Sequence, residues 1–307
     1  MAVSAFQPQA PDDSTGERTY LSEAAAPFGI DVTGLRIRRL RGSAGPVRVS
    51  ALRYEHRDAP PAPPIALLHG GGQNAHTWDL TVAALGRTAI AVDLPGHGGS
   101  DWLDDHDYSP RRLAAPVAAA LQALCPDLEV LVGMSLGGMT AVAVAEVFPR
   151  LRQVVTVDVS PGSVLPESSK LRALADLGPA PFEDLVASVA AVSGGRAREG
   201  LQHAVWHSTR EAGDRREWCR DPQMRVGSFL DLWPEYEALA PRITAVIAER
   251  GSFVPTEDQD RVTGLLSGRM HRIAGAAHSV QNTRPTELAA VLRAVAAKLG
   301  STDVSGF

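Results

Sequence analysis

The segment Gly-Met-Ser-Leu-Gly at residues 133–137 has the residue types and spacing of a serine nucleophile. It follows the apolar run Leu128–Val132 and precedes an apolar stretch with helical character, so Ser135 is expected at a strand-to-helix turn. Glycines two positions before and after the serine allow that sharp turn, because larger side chains would collide with it. The following helix N-terminus favours nearby negative charge. This pattern predicts nucleophilic attack by Ser135 on an acyl group.

A serine nucleophile needs a proton acceptor, and the chain has nine histidines. His278 is the one that follows the last predicted strand, Met270–Ile273, and small residues on both sides allow its loop to approach the nucleophile. His271 lies in that strand, whereas His69 and His97 occupy glycine-rich loops where they are expected to brace the backbone. His278 is therefore the predicted base.

Acyl transfer creates an oxyanion that needs backbone N–H donors. One donor is expected from Leu136, directly after the nucleophile. The other is expected from the loop His-Gly-Gly-Gly-Gln at residues 69–73, with Gly71 favoured and Gly72 as the alternative.

The elements that must hold these groups follow an alternating pattern. Apolar runs and helical stretches take turns from residue 65 onwards, which predicts an α/β fold with a mostly parallel central sheet flanked by helices. Functional groups then gather at the carboxyl ends of the strands. The predicted strands are Leu35–Arg41, Val47–Glu55, Ile65–Leu68, Thr88–Asp93, Leu128–Val132, Val154–Asp158, Ile243–Ala248 and Met270–Ile273.

Two parts of the chain depart from this alternation. Residues 1–33 are rich in Ala, Pro, Asp, Ser and Gly and are expected to form a poorly ordered or surface-wrapped arm. Residues 163–238 look helical and polar and are interpreted as a helical lid inserted into a core of residues 34–162 and 239–300, before a tail at 301–307. The possible pocket residues are Gly72, Met134, Trp206, His207 and Trp233.

Bulk properties narrow the function classes. The net charge of −5 gives no argument for nucleic acid or an anionic membrane as a partner, because both would favour a basic face. A small-molecule substrate is expected instead. Two cysteines allow no disulfide framework, and the N-terminus lacks signal-peptide features, which favours the cytoplasm.

His203 and His207 are spaced like metal ligands with Glu211 on the same face, but a polar helix face is the preferred interpretation. No metal and no nucleotide cofactor are expected, and the oligomeric state is open.

Taken together, these motifs resemble the α/β-hydrolase superfamily over about residues 35–299. The carriers are the histidine-glycine loop at 69–72, Asp-Leu-Pro-Gly-His-Gly-Gly-Ser at 93–100, the serine motif at 133–138 and Gly-Ala-Ala-His at 275–278. The resemblance implies a lid after the strand ending at Asp158. Haloalkane dehalogenases and epoxide hydrolases resemble this fold but have Asp at the nucleophile position, so Ser135 argues against both.

The resemblance also implies a carboxylate that orients the base. The common position, after the strand that follows the lid, holds Ser252 or Phe253 here. Some branches of the superfamily instead take the acid from the preceding strand, where this chain has Asp158. We expect Asp158 to hold the His278 ring, although an Asp that only caps the strand-to-lid turn has the same pattern. Glu257 and Asp258 are the alternatives.

Four functions remain open on these residues. The first is hydrolysis of a carboxylic ester, lactone or thioester through an acyl-Ser135 intermediate. The second is C–C bond hydrolysis. The third is a non-hydrolytic cyclase, acyltransferase or lyase reaction, and the fourth is a non-catalytic ligand receptor. The first is preferred.

Overall fold

The computed structural model describes residues 7–8, 16–59, 64–163, 177–191, 193 and 197–302. A nine-stranded sheet lies at the centre of this part, and a two-stranded hairpin lies apart from it. In chain order the strands are β1 (Gln7–Pro8), β2 (Leu35–Ala44), β3 (Val47–His56), β4 (Ile65–Leu68), β5 (Ala89–Val92), β6 (Val130–Met134), β7 (Gln153–Val157), β8 (Thr209–Ala212), β9 (Arg215–Trp218), β10 (Ile243–Ala248) and β11 (Met270–Ile273).

The strand order in the sheet is β1-β2-β3-β5-β4-β6-β7-β10-β11. The six strands from β5 to β11 run parallel, whereas β1, β2 and β3 pair antiparallel at one side. Strands β4, β5 and β6 are buried at every position, which explains why their sequences are continuous apolar runs. The observed sheet confirms the predicted α/β-hydrolase fold class.

Helices cover both faces of the sheet and pack into two separate apolar clusters. Pro116 lies inside α3 without ending it, and Ser109 stands at the N-cap position of that helix but makes no capping hydrogen bond with its side chain. The helices are α1 (Leu21–Ala25), α2 (Asp79–Leu85), α3 (Pro110–Leu124), α4 (Leu136–Val147), α5 (Phe182–Ala190), α6 (Arg198–Ser208), α7 (Trp233–Ala238), α8 (Thr256–Leu266), α9 (Val280–Thr283) and α10 (Pro285–Thr302).

The N-terminal segment, residues 16–33, packs onto the rest of the molecule. Leu21 is fully buried in the core, and the Tyr20 ring stacks on Phe182 with 5.8 Å between ring centroids. For residues 16–33, these contacts favour the surface-wrapped alternative over a poorly ordered arm. The expectation for most of residues 1–15 lies outside the described residues.

The insertion between β7 and β10 contains α5, α6 and α7, as the helical pattern predicts. It also contains the β8–β9 hairpin, which corrects the expectation of an all-helical insertion. The hairpin turns at Gly213, whose φ is +67°. Four of its charged residues face one another in two pairs, so the sequence has no apolar alternation that would indicate strands. Residues 164–176 of the insertion lie outside the described part. Among the described helices, none combines the length and apolar character needed to cross a membrane.

Candidate active site

Ser135 lies at the junction of β6 and α4 with a strained backbone. Its φ is +51° and its ψ is −121°, a conformation that an L-residue adopts only when the surroundings impose it. The Ser135 N–H donates to Val157 O at 3.1 Å, which fixes the turn to the neighbouring strand β7. Ser135 is 5% exposed, at the carboxyl edge of the parallel strands.

The two glycines of the serine motif are required by close backbone approach. A Cβ on Gly133 would lie 2.1 Å from Gly137 O, and a Cβ on Gly137 would lie 2.4 Å from the carbonyl oxygens of Leu68 and His69. Both distances are far inside van der Waals contact. The spacing of the motif therefore follows from the packing of α4 against the ends of β4 and β6.

His278 and Asp158 meet directly, although they are 120 residues apart. His278 Nδ1 is 2.7 Å from Asp158 Oδ2, and Asp158 is fully buried while the His278 side chain is 18% exposed. A buried carboxylate on Nδ1 selects the tautomer with a proton there and leaves Nε2 as the acceptor. The described residues show no hydrogen bond between His278 and Ser135, and bonds of this kind are commonly long in enzymes without substrate.

Asp158 has a full set of hydrogen-bond donors. Its Oδ1 accepts from the Ala248 N–H at 2.9 Å and from Ser252 Oγ at 2.6 Å, and its Oδ2 accepts from the Phe253 N–H at 3.2 Å. Its φ is +50°, in the left-handed region that non-glycine residues seldom adopt. The Phe253 ring stacks on the His278 ring at a centroid distance of 3.8 Å. Sequence reasoning identified Ser252 and Phe253 as the usual position of the acid but missed their contacts with Asp158 and His278.

Among the glycines of the 69–73 loop, only Gly71 keeps its N–H available. Gly70 N–H donates to Gln73 Oε1 at 3.2 Å, and Gly72 N–H donates to His97 Nε2 at 2.9 Å. In the described part of the chain neither Gly71 N nor Leu136 N donates to another protein group. A Cβ on Gly71 would lie 3.9 Å from Leu136 Cδ2, so the two residues are neighbours. The geometry thus favours Gly71 over Gly72 as an oxyanion donor together with Leu136.

His69 and His97 hold the loops around this site. His69 Nε2 accepts from Leu94 N–H at 2.9 Å, and His97 Nε2 accepts from Gly72 N–H. Burial and the neighbouring His69 lower the pKa of His97 to about 3, so its ring stays neutral and keeps accepting. Both histidines have the structural role expected from their sequence positions.

The alternative acids lie elsewhere. Asp258 Oδ2 accepts from Ser160 Oγ and from Gly162 N–H at 3.0 Å, and Glu257 is exposed in the first turn of α8. Neither contacts His278.

The expected pocket residues separate into two groups. Met134 borders the site, since a Cβ on Gly70 would lie 2.5 Å from Met134 Sδ and 3.3 Å from Ser135 Cβ. Gly72 follows in the same loop, where its N–H donates to His97 Nε2. The others have ring contacts outside the Ser135–His278–Asp158 group, and their place in the pocket stays a prediction: Trp206 packs between Tyr20, Phe182 and Arg216, Trp233 packs against Tyr236 and Arg261, and His207 stacks on His76 at 3.6 Å. The expected polar helix face is corrected, because His203 is 4% exposed and its Nε2 lies 2.9 Å from Asp79 Oδ2.

Known proteins resemble this chain along most of its length. The sequence model of the alpha/beta hydrolase family matches residues 65–291. The esterase Rv0045c of Mycobacterium tuberculosis is 35% identical over 301 residues, covering 92% of this chain and 97% of that protein. Its crystal structure superposes with a TM-score of 0.77 at 34% identity, covering 94% of this chain and 99% of that one. Protein phosphatase methylesterase 1 of Mus musculus is 35% identical over 112 residues, covering 34% of this chain and 29% of that protein. By its matched residues and its sheet, this chain belongs to the α/β-hydrolase family.

Proposed function

We propose that this protein is a carboxylic-ester hydrolase that works through an acyl intermediate on Ser135. The observation that carries the proposal is the buried Asp158–His278 pair, with 2.7 Å between Oδ2 and Nδ1, at the end of the strand beside Ser135. A neutral histidine whose Nδ1–H is held by a buried carboxylate, beside a strained serine, is the arrangement that activates a hydroxyl. The likeness of this chain to the esterase Rv0045c over nearly its whole length supports ester hydrolysis.

The first half of the reaction forms the acyl-enzyme. Ser135 Oγ attacks the ester carbonyl carbon while His278 Nε2 takes the hydroxyl proton. Negative charge develops on the carbonyl oxygen, which the N–H groups of Gly71 and Leu136 stabilise. The tetrahedral intermediate then collapses, the C–O bond to the alcohol breaks, and His278 gives its proton to the leaving alkoxide.

The second half restores the enzyme. Water loses a proton to His278 Nε2 and attacks the acyl carbon, and the carboxylic acid leaves as Ser135 Oγ recovers the proton. Asp158 stays ionised throughout and stabilises the imidazolium in both halves. Its three other donors, from Ala248, Ser252 and Phe253, hold the carboxylate in place beside the ring.

We also propose that residues 163–238 act as a lid over this site. The insertion contacts the loops beside the nucleophile: Asn74 Nδ2 donates to His207 O at 3.0 Å, and Gly98 N–H donates to Cys219 O at 2.7 Å. A segment that borders both loops is placed to shape the acyl pocket. The two free cysteines, Cys125 and Cys219, are compatible with the proposed cytoplasmic location.

The test is turnover of a short p-nitrophenyl ester together with labelling by a fluorophosphonate probe. Wild type should be active and labelled, and Ser135→Ala should lose both. Ser188→Ala is the matched control, since the side chain of this half-buried serine of α5 donates to Asp184 O of its own helix and has no other hydrogen bond among the described residues. Turnover that persists in Ser135→Ala would refute the acyl-serine mechanism, and binding of esters without any turnover would indicate a receptor.

A further inference from the structure

Four side chains with metal-binding atoms converge at a place that the proposed reaction does not use. We call His76, Asp79, His203 and His207 the histidine–aspartate cluster. One ligand atom from each lies within 4.8 Å of the others. His76 belongs to the short helix Ala75–Trp78, Asp79 begins α2, and the other two histidines lie one turn apart on α6. The cluster therefore joins the hydrolase core to the insertion.

The inner distances are close to those of a metal centre. Asp79 Oδ2 lies 2.9 Å from His76 Nδ1 and 2.9 Å from His203 Nε2. Ligand atoms about 2.0–2.2 Å from a tetrahedral zinc ion lie about 3.4 Å from one another. A metal ion would thus need movements of about half an ångström at these three atoms. Asp79, His76 and His203 are at most 4% exposed, so an ion between them would be shielded from solvent.

Three of the cluster residues are also held from outside by an oxygen. His76 Nε2 lies 2.8 Å from Glu17 Oε2, and His207 Nε2 lies 3.1 Å from Thr19 O. Tyr54 Oη donates to Asp79 Oδ1 at 2.5 Å, which leaves Oδ2 for the cluster. Histidines that ligate metals characteristically donate their other ring N–H to a carboxylate or a backbone carbonyl, which fixes the ring and its tautomer. Three of the four cluster residues have such an outer partner.

We propose that the histidine–aspartate cluster is a binding site for one divalent transition-metal ion of the zinc type. His76 Nδ1, Asp79 Oδ2 and His203 Nε2 are the ligands, and His207 becomes the fourth when its ring turns off the face of His76, on which it stacks at 3.6 Å. Imidazole and carboxylate donors favour Zn²⁺, Co²⁺ and Ni²⁺ over the oxygen-seeking Ca²⁺ and Mg²⁺. The bound ion takes no part in ester cleavage. It cross-links the core, the insertion and, through Glu17 and Thr19, the N-terminal segment.

The experiment uses the full-length protein after treatment with a chelator. Zn²⁺ binding is measured by calorimetry, and Co²⁺ binding by the visible absorption of a tetrahedral ion. Wild type should bind one ion, and His203→Gln should weaken binding by at least about 100-fold, since loss of an outer partner alone costs about 10–100-fold. His271→Gln is the matched control, because this half-buried histidine of β11 lies outside the cluster and should leave the Kd unchanged.

Thermal unfolding gives an independent readout. Zinc at a hundred times its Kd should raise the Tm of wild type by about 4 °C, by mass action on a chain of 307 residues. His203→Gln should show no such rise. If that variant does not fold, as judged by circular dichroism without metal, His207→Gln takes its place, since its half-buried ring is easier to replace.

Three results would overturn the proposal: no stoichiometric binding by wild type, an unchanged Kd in the cluster variants, or binding that His278→Gln abolishes and His203→Gln does not. The first two would mean that the cluster is a hydrogen-bonded network without metal. The third would place the ion at the active site.

Discussion

Replacing Asp158 by Asn tests the active site at the residue whose chain position departs from the common pattern. Asn keeps the size of the side chain but removes its charge and turns one acceptor into a donor. If the amide nitrogen faces His278, Nδ1 has to accept and the ring proton moves to Nε2. The base then cannot take the proton from Ser135.

The size of the effect follows from the geometry. With 2.7 Å between Oδ2 and Nδ1, the charge centres of carboxylate and imidazolium are about 4 Å apart, and at an effective dielectric constant of about 20 their attraction is about 4 kcal/mol. Each 1.36 kcal/mol corresponds to about tenfold in rate, so the lost charge lowers kcat by about 10³-fold. The tautomer change adds to this. KM should change by less than about threefold, since Asp158 is buried behind the histidine.

The assay is steady-state hydrolysis of a p-nitrophenyl ester well below the Tm of each variant. Glu257→Gln is the control, because this exposed acid of α8 has no contact with His278 and should leave kcat within about twofold. A tenfold or smaller loss in Asp158→Asn, combined with a collapse of activity in Glu257→Gln or Asp258→Asn, would refute the assignment of Asp158.

Three further predictions concern stability, measured by urea unfolding. Gly137→Ala should lower the free energy of unfolding by about 2–3 kcal/mol, because its Cβ would lie 2.4 Å from backbone oxygens. The control Gly264→Ala should raise the free energy of unfolding by up to about 1 kcal/mol, because its Cβ would meet nothing within 4 Å. Similar values for both variants would contradict the packing argument. Because the pKa of His97 is lowered to about 3 by burial, from about 6.5 in the unfolded chain, the stability from its neutral ring is complete above pH 6.5 and lost as the pH falls towards 3. His97→Gln should therefore lose stability less steeply between pH 6 and 4, by up to about 1.4 kcal/mol per pH unit, and an unchanged slope would show that His97 does not titrate in this way. Arg39→Met should cost about 3–5 kcal/mol because the buried Asp93 carboxylate loses its guanidinium partner, while Glu17 keeps only His76. Arg38→Met, in an exposed pair, should cost less than about 1 kcal/mol, and equal losses would contradict the difference in burial.

Local sequence signals were sufficient for the core of the fold. Strands β4, β5 and β6 are apolar on both faces, so their sequences are continuous runs that end in glycine or aspartate, and their bounds were predicted within about two residues. The β8–β9 hairpin has no such signal because its residues are charged and half-exposed. The burial of Leu21 depends on partners far along the chain, which composition does not reveal.

The candidate site also contains residues that local sequence predicts and residues that depend on contacts between distant parts of the chain. Ser135 and its glycines form a short motif with a local physical reason, and the pairing of His278 with Asp158 was expected from the strands that they follow. The histidine–aspartate cluster was out of reach because His203 and Asp79 are 124 residues apart. The spacing of His203 and His207 was visible, but without His76 and Asp79 it indicated no more than one face of a helix.

The contacts of Ser252 and Phe253 with Asp158 have an evolutionary consequence. The residues that follow β7 and β10 lie beside the same His278 ring. A carboxylate after either strand is therefore close enough to hydrogen-bond the histidine. A chain with acids at both positions would keep a carboxylate beside His278 after the loss of either one. The acid can thus change its place in the sequence while its place beside the histidine stays the same. Homologues that differ in this acid need not differ in mechanism.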